Sequence, residues 1–307
     1  MQVLAYGLPR LGEKRQYKTL LERFWSGKIS EEDLKAGMQA LEKERLATYA
    51  LYADVYPSGE LSLYDPMLDL AVAVGLVPAR FQPYTGLTSY FQMARGASAL
   101  EMTKWFNTNY HYLVPEWEDR LNLSVNPSFY EDAYRFAQST GSEKALPSLI
   151  GPYTFLALSK KNGIPLSPEE METYAEKLLP VYARLLEALR KAGAPAFLLH
   201  EPAFVLDEPP LPLIGYLYQH LARFPVYLLT YYEAVDFYPR LVELPVQGVA
   251  LDFVSNTQNL RALEQYGFPE DKVLIAGVLD GRNVWRANLV EKAQLVERLS
   301  KKAKEVW

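Results

Sequence analysis

Three cations lie within five residues near the start of the chain, in the segment Lys14-Arg-Gln-Tyr-Lys18. The apolar spacing predicts a helix over about Lys14–Trp25, so the cations occupy its beginning. Free backbone N–H groups and the positive end of the helix dipole favour anions at such a position. The segment is therefore a candidate anion site. A solvated basic turn without a ligand is the alternative interpretation.

A further lysine, Lys104, stands alone among Met102, Trp105 and Phe106. A lysine in apolar surroundings usually packs its methylene groups there and extends its charge into solvent. On the residues alone, Lys104 is therefore interpreted as a surface side chain.

Three carboxylates, Glu201, Asp252 and Asp280, end or follow predicted strands. In (β/α) barrels the working groups lie at the C-terminal ends of the strands. Carboxylates placed there could act as general acid, general base and orienting group, as in a barrel glycosidase. The alternative is structural: they accept hydrogen bonds from strand-end amides or pair with a nearby arginine such as Arg282.

Composition excludes several other chemistries. The 307-residue chain has no cysteine, which removes disulfides, a thiolate nucleophile and every zinc site with a cysteine ligand. It has only three histidines, His111, His200 and His220, and no further ligands at suitable spacing accompany His200, so we predict no metal site. The formal net charge of −5 argues against a general nucleic-acid-binding surface.

The chain shows no export signal and no long apolar run. A basic region followed by an apolar stretch is missing at the start, and no segment reaches the roughly 18 apolar residues of a membrane-spanning helix. With 49% hydrophobic and 22% charged residues, the composition is typical of a folded chain. We therefore expect a cytoplasmic protein without membrane partners.

The first part of the chain combines helices with irregular segments. Ser30 and Asp33 have the form of a capping box and predict a helix that continues to about Ala53. The other predicted segments are a strand over Val3–Tyr6, a turn at Pro57–Gly59, a long irregular loop over Phe81–Gly96 and a strand or hairpin arm over Thr108–Pro115.

Strands and helices alternate regularly after Leu146. The predicted strands are Ser148–Leu156, Phe197–His200, Val226–Tyr231, Gly248–Phe253 and Val273–Val278. The predicted helices are Pro168–Lys191, Leu211–Arg223, Thr257–Tyr266 and Asn288–Glu305. This alternation predicts a parallel sheet with crossover helices, and the nearly continuous apolar strands indicate that both sheet faces are buried.

We predict an α/β fold, a (β/α)8 TIM-type barrel, as one domain over residues 1–307. Polar strand ends favour the barrel over an open doubly wound sheet, and no glycine-rich nucleotide loop follows the first strand. The strand count is seven if Thr108–Pro115 belongs to a hairpin-like insertion around residues 81–116, and eight otherwise. The barrel then either borrows its last strand from the hairpin segment or lacks it, with that strand beyond Trp307.

Several strings occur in order along the chain. They are Gly7-Leu-Pro-Arg-Leu-Gly12, Phe24-Trp-Ser-Gly-Lys-Ile-Ser30, Leu63-Tyr-Asp65, Met93-Ala-Arg-Gly96, Glu101-Met-Thr-Lys-Trp-Phe-Asn-Thr-Asn-Tyr-His-Tyr112, Gly151-Pro-Tyr-Thr-Phe155, Glu201-Pro202 and Asp280-Gly-Arg-Asn-Val-Trp-Arg286. Together they resemble the N-terminal barrel of cobalamin-independent methionine synthase. The resemblance runs from about Val3 to Arg286.

The resemblance implies half of an enzyme with two face-to-face (β/α)8 barrels. Such an enzyme moves the methyl group of 5-methyltetrahydrofolate polyglutamate to homocysteine. The catalytic zinc and its ligands belong to the C-terminal barrel, so the resemblance implies neither catalytic nor metal-binding residues in this chain. The N-terminal barrel helps to hold the polyglutamate tail. Carried over by motif, the tail-binding positions are Arg15, Gln16, Tyr17, Lys18 and Lys104.

This chain departs from the family pattern at several positions. Pro66 stands where the family has histidine, Asn107 where it has aspartate, His200 where it has aspartate and Ser255 where it has arginine. The basic motif usually has glutamate and leucine between its two cations, where this chain has Gln16 and Tyr17. Both cations of the motif are kept.

Three functions are compatible with these features. The first is the folate-binding half of a methionine synthase, which needs a separate or fused zinc-bearing C-terminal barrel as its partner. The second is a binding module that holds folate polyglutamate or another oligoanion without catalysis. The third is a barrel hydrolase that uses Glu201, Asp252 and Asp280.

Overall fold

The computed structural model describes residues 1–307 and contains twelve β-strands. They are β1 (Tyr56–Ser58), β2 (Met102–Lys104), β3 (His111–Leu113), β4 (Glu116–Trp117), β5 (Ala145–Ile150), β6 (Lys160–Lys161), β7 (Ile164–Pro165), β8 (Phe197–His200), β9 (Val226–Leu229), β10 (Gly248–Asp252), β11 (Val273–Gly277) and β12 (Glu305–Val306).

Eleven α-helices connect or flank these strands. They are α1 (Gln16–Trp25), α2 (Glu31–Tyr52), α3 (Pro66–Ala73), α4 (Leu87–Ala94), α5 (Ser128–Ser139), α6 (Pro152–Ala157), α7 (Pro168–Lys191), α8 (Leu211–Leu221), α9 (Tyr238–Glu243), α10 (Gln258–Tyr266) and α11 (Leu289–Ser300). Two short 3₁₀ turns cover Ala79–Phe81 and Pro202–Val205.

Seven strands form one parallel sheet in the order β1-β5-β8-β9-β10-β11-β12. A single parallel bridge between Leu4 and Val55 adds the start of the chain beside β1. The two outermost strands, β1 and β12, are not hydrogen-bonded to each other. Leu4 and Trp307 nevertheless pack against the same small apolar cluster on the inner face of the sheet. The predicted α/β class is confirmed, and the sheet is that of a TIM-like barrel with one incomplete strand position.

Local sequence signals account for the best-predicted helices. Ser167 accepts the N–H of Glu170 and begins α7, with Pro168 at its first position. The predicted capping box of Ser30 and Asp33 is present at the start of α2. The apolar face of α7, which includes Leu178, packs into the large core outside the sheet.

Two predicted boundaries in the sheet are wrong. Ser148–Leu156 is not one strand, because β5 ends at Ile150 and Pro152 begins α6, the helical position that proline favours. Pro57–Gly59 is not simply a turn, because Pro57 lies in β1. Proline is tolerated near a sheet edge, where the ladder does not need its missing N–H.

The segment 81–96 is more ordered than the predicted irregular loop. Helix α4 covers Leu87–Ala94, and its Tyr90 and Phe91 are buried in a second core shared with α1 and α2. The antiparallel hairpin β2–β3 follows, with Lys104 opposite His111. The single barrel domain over residues 1–307 remains a prediction.

The last helix is shorter than predicted. Helix α11 ends at Ser300, and Glu305–Val306 pair with Val273 and Leu274 of β11. Val306 is buried, so packing against the sheet fixes a two-residue strand that has no periodic signal of its own. The chain itself therefore supplies the strand that follows β11.

Candidate functional site

Arg15 and Lys18 lie at the beginning of α1. Arg15 adopts a left-handed conformation (φ 58°) and is the residue before the first helical turn. Both side chains are exposed, and the Lys18 Nζ lies 3.5 Å from Glu22 Oε1 in a solvent-exposed pair. The backbone N–H groups of Gln16 and Lys18 have no acceptor within the protein. Two cations and two free donors therefore converge at one helix N-terminus.

Gln16 and Tyr17 have different roles from the cations. The Gln16 Oε1 accepts the N–H of Lys14 at 2.8 Å and so closes the turn before the helix. Tyr17 is buried, and its hydroxyl donates to the carbonyl oxygen of Leu63 at 3.2 Å. These contacts position the helix start, whereas the side chains of Arg15 and Lys18 are exposed to solvent.

The hairpin that carries Lys104 is attached to the same short segment as Tyr17. The Leu113 N–H donates to Asp65 Oδ2 at 3.1 Å, and the same oxygen accepts the Leu68 N–H at 3.0 Å. Asp65 therefore caps the start of α3 and also holds the hairpin. Since Tyr17 bonds to Leu63 and the hairpin bonds to Asp65, both cationic elements are tied to residues 63–65. Lys104 is exposed.

Glu201 is fully buried behind the end of β8. Its Oε1 accepts the Tyr153 N–H at 3.0 Å and the Tyr218 hydroxyl at 2.8 Å, and its Oε2 accepts the Thr154 N–H at 2.6 Å. Burial raises the pKa of Glu201 to about 7, against the lowering effect of these donors. A Cβ at Gly151 would lie 2.3 Å from the Glu201 carboxyl carbon, so glycine is required there.

The other two strand-end carboxylates bond to their own loops. Asp252 accepts the N–H groups of Val254 at 2.7 Å and Ser255 at 2.9 Å, and the Ser255 hydroxyl at 2.6 Å. Asp280 accepts the Arg282 N–H at 2.8 Å and the side-chain amide of Asn283. All three predicted carboxylates therefore have hydrogen-bond partners within the protein. Ser255, which stands where the family has arginine, is a partner of Asp252.

The loop after β11 contacts the tip of the hairpin at the mouth of the barrel. Arg282 donates to the carbonyl oxygen of Asn107 at 2.8 Å and lies 5.9 Å from the centre of the Tyr232 ring. Tyr232 in turn packs against Phe106 at 5.4 Å between ring centres. Asn107 thus takes part in this contact through its backbone carbonyl oxygen, a group that any residue supplies.

His200 lies among hydroxyl groups inside the barrel mouth. Its Nε2 is 2.8 Å from Ser148 Oγ, its Nδ1 is 3.3 Å from the Tyr231 hydroxyl, and the Tyr6 ring packs edge-on at 5.2 Å. Burial lowers the pKa of His200 to about 4, so the imidazole is neutral at pH 7. Sequence reasoning missed this cluster because its members lie in four separate segments of the chain with no common spacing.

Two buried carboxylates that the sequence did not single out lie beneath the cationic elements. Asp69 accepts the Tyr90 hydroxyl at 2.6 Å, and Asp65 lies one helical turn before it. Burial raises the pKa of Asp69 to about 7 and that of Asp65 to about 6, although Arg10 opposes both shifts. Pro66, which stands where the family has histidine, is the first residue of α3.

Asp69→Asn should reduce the pH dependence of stability. Folded Asp69 holds its proton more tightly than an unfolded carboxyl, so its stabilising effect is complete below about pH 4 and is lost as pH rises through about 7. Urea unfolding from pH 4 to 8 should show a shallower fall in the free energy of unfolding for this variant. The exposed control Asp236→Asn should keep the wild-type slope; an unchanged slope in Asp69→Asn would contradict the assignment.

No group of three or more histidine, aspartate or glutamate side chains is arranged to hold a metal ion, and the chain has no cysteine. Cavities of about 360 and 340 Å³ lie near the N-terminal ends of β11 and β12, lined by residues such as Lys272 and Glu305, away from the strand ends discussed above. None of the helices is both long and apolar enough to cross a membrane.

Comparison with known families assigns the chain. The family described as "Cobalamin-independent synthase, N-terminal domain" matches residues 2–304. The chain belongs to this family. The resemblance seen in the sequence is therefore confirmed, and its strings are those of a cobalamin-independent synthase N-terminal domain.

Curated relatives of this synthase domain are much longer than the chain. A Thermotoga petrophila protein named 5-methyltetrahydropteroyltriglutamate–homocysteine methyltransferase is 49% identical over 306 residues, which cover 99% of this chain and 41% of that protein. A Halalkalibacterium halodurans protein of the same name is 40% identical, covering 95% of this chain and 40% of that protein. The chain thus spans about 41% of the length of such relatives.

Solved structures support the fold of the synthase domain. A B12-independent methionine synthase from Shewanella sp. W3-18-1 has a TM-score of 0.67 at 14% identity, with 91% of this chain and 82% of that chain covered. A putative vitamin-B12-independent methionine synthase from Listeria monocytogenes has a TM-score of 0.66 at 12% identity, with 99% and 88% covered. At such identities the likeness shows the fold alone.

Proposed function

We propose that this chain is the N-terminal, folate-polyglutamate-binding half of a cobalamin-independent methionine synthase. The whole enzyme would move a methyl group from 5-methyltetrahydrofolate polyglutamate to homocysteine and form methionine. The observation that carries the proposal is the match of residues 2–304 to the N-terminal domain family, together with relatives named as this methyltransferase.

The geometry at the start of α1 supports the binding of a polyglutamate tail. Each added glutamate brings one carboxylate, and Arg15 and Lys18 present cations beside the free N–H groups of Gln16 and Lys18. Charge-assisted hydrogen bonds to carboxylates are roughly twice as strong as neutral ones. Lys104 would add a third cation from the hairpin. Gln16 and Tyr17 would serve by shaping the turn and the helix start.

The methyl transfer itself would need a partner. Zinc in such an enzyme would activate the homocysteine thiol, but this chain has no cysteine and no cluster of other ligands that fits the metal. A zinc-bearing C-terminal barrel, fused or separate, is therefore the proposed partner, and the chain's own residues would bind and orient the methyl donor. The cytoplasm is the proposed location.

Mixing the chain with a zinc-loaded C-terminal barrel from a relative should restore methionine formation from methyltetrahydropteroyltriglutamate and homocysteine. Neither component alone should be active, because each lacks part of the machinery. The chain mixed with a barrel stripped of zinc is the control. Absence of both activity and complex formation would contradict the two-part enzyme, and binding of the triglutamate without activity would favour the module without catalysis.

A further inference from the structure

The loop that leads into the basic segment is held by side chains from outside it. In this loop, residues 7–12, the N–H of Leu8 donates to the Tyr49 hydroxyl at 2.9 Å and the N–H of Gly7 donates to Glu60 Oε1. The Arg45 Nη1 donates to the carbonyl oxygens of Leu8 at 2.8 Å and Pro9 at 3.0 Å. Four backbone groups of three consecutive residues thus depend on three side chains.

The three side chains are also bonded to one another. The Arg45 Nη2 donates to Glu60 Oε2 at 2.5 Å, and the Tyr49 hydroxyl donates to the same oxygen at 2.6 Å. Arg45 and Tyr49 are 6% and 4% exposed, so both donor side chains are shielded from solvent. A fourth group, Glu42, lies 3.6 Å from the Arg45 Nε without a hydrogen bond.

Helix α2 connects this network with the helix that begins at the basic segment. Arg45 and Tyr49 are four residues apart and share one face of α2. Nearer its start, Leu34 and Met38 of α2 belong to the apolar core that also contains Tyr17. One helix therefore fixes the loop before Arg15 and the first turn after it.

We infer that Arg45 is a positioning residue that, with Tyr49 and Glu60, holds the loop 7–12 so that Arg15 and Lys18 meet a row of carboxylates. This inference rests on the proposed function. The fork of the guanidinium is essential, since it reaches two carbonyls and one carboxylate at once. A lysine would keep the charge but could not make the same set of bonds.

The test compares binding of pteroyltriglutamate and pteroylmonoglutamate to the 307-residue chain by calorimetry. In Arg45→Lys, and separately in Tyr49→Phe, the preference for the triglutamate should fall about tenfold with monoglutamate affinity unchanged, because small misplacements of binding groups are costly. Tyr49→Phe retains the ring that stacks on Tyr56 at 5.8 Å, so it should remain folded. The control is Arg135→Lys, an exposed residue paired with Glu131.

Hydrogen exchange separates this inference from the proposed function. Without ligand, the backbone amides of residues 7–18 that are hydrogen-bonded in the wild type should exchange faster in Arg45→Lys and Tyr49→Phe, while those of α7 stay as in the wild type. These protected amides are those of Gly7, Leu8, Lys14, Arg15 and Tyr17. An unchanged triglutamate preference in both folded variants, or unchanged exchange in residues 7–18, overturns the positioning role. A wild-type chain with no triglutamate preference overturns the tail-binding function, and exchange still decides whether the network holds the loop.

Discussion

Replacing Arg15 and Lys18 together by glutamine is expected to weaken pteroyltriglutamate binding about 100-fold, or tenfold for each cation. Monoglutamate binding should change little, because the lost bonds go to the added carboxylates. Both cations are exposed, so each bond is partly offset by solvation. Calorimetry at low and high salt should also show a weaker salt dependence in the double variant, since fewer charges are screened.

Lys28→Gln is the matched control for this pair. Lys28 is an exposed lysine after the far end of α1 and forms no ion pair, so its loss changes net charge without touching the helix start. Equal weakening by Lys28→Gln would assign the effect to general electrostatics. Equal loss of monoglutamate and triglutamate binding in the double variant would contradict a site for the tail.

Sequence reasoning reached the features whose signals are local. The Ser167-Pro168 start of α7 and the cations at the start of α1 follow from neighbouring residues alone. Strands β8 to β11 were found because their buried faces make them continuous apolar runs. The positions of Glu201 and Asp252 at strand ends were also predicted, and these positions depend only on where each strand stops.

What those residues contact could not be predicted. Glu60 lies 53 residues from Gly7 and 15 from Arg45, and no motif relates such separations. Strand β12 has two residues, too few to show a period, and β1 contains Pro57, which on its own indicates a turn. Tertiary packing therefore determines that both segments form strands. The roles of buried polar groups therefore came from the structure. The family resemblance supplied the tail-binding positions but none of these buried contacts.

Glu201→Ala is expected to lower the free energy of unfolding by at least about 3 kcal/mol, because three buried donors lose their acceptor at ~1–3 kcal/mol each. The donors are the Tyr153 and Thr154 N–H groups and the Tyr218 hydroxyl. These bonds join the start of α6 to the end of β8 and to α8. Urea unfolding at pH 7 measures the change, and Glu176→Ala, at an exposed position of α7, should stay within about 0.5 kcal/mol of the wild type.

The same variant also distinguishes a structural Glu201 from a catalytic one. A carboxylate kept for chemistry would be replaceable with little loss of stability, since active-site groups are often held at a cost to the fold. Glu201 instead fills the space that Gly151 leaves open and satisfies two amides at a helix start. Glu201→Gln should be intermediate, because its oxygen can accept from the Tyr153 N–H and the Tyr218 hydroxyl while its NH₂ group faces the Thr154 N–H. A wild-type unfolding curve for Glu201→Ala would contradict the structural role and return the strand-end carboxylates to consideration as acid and base.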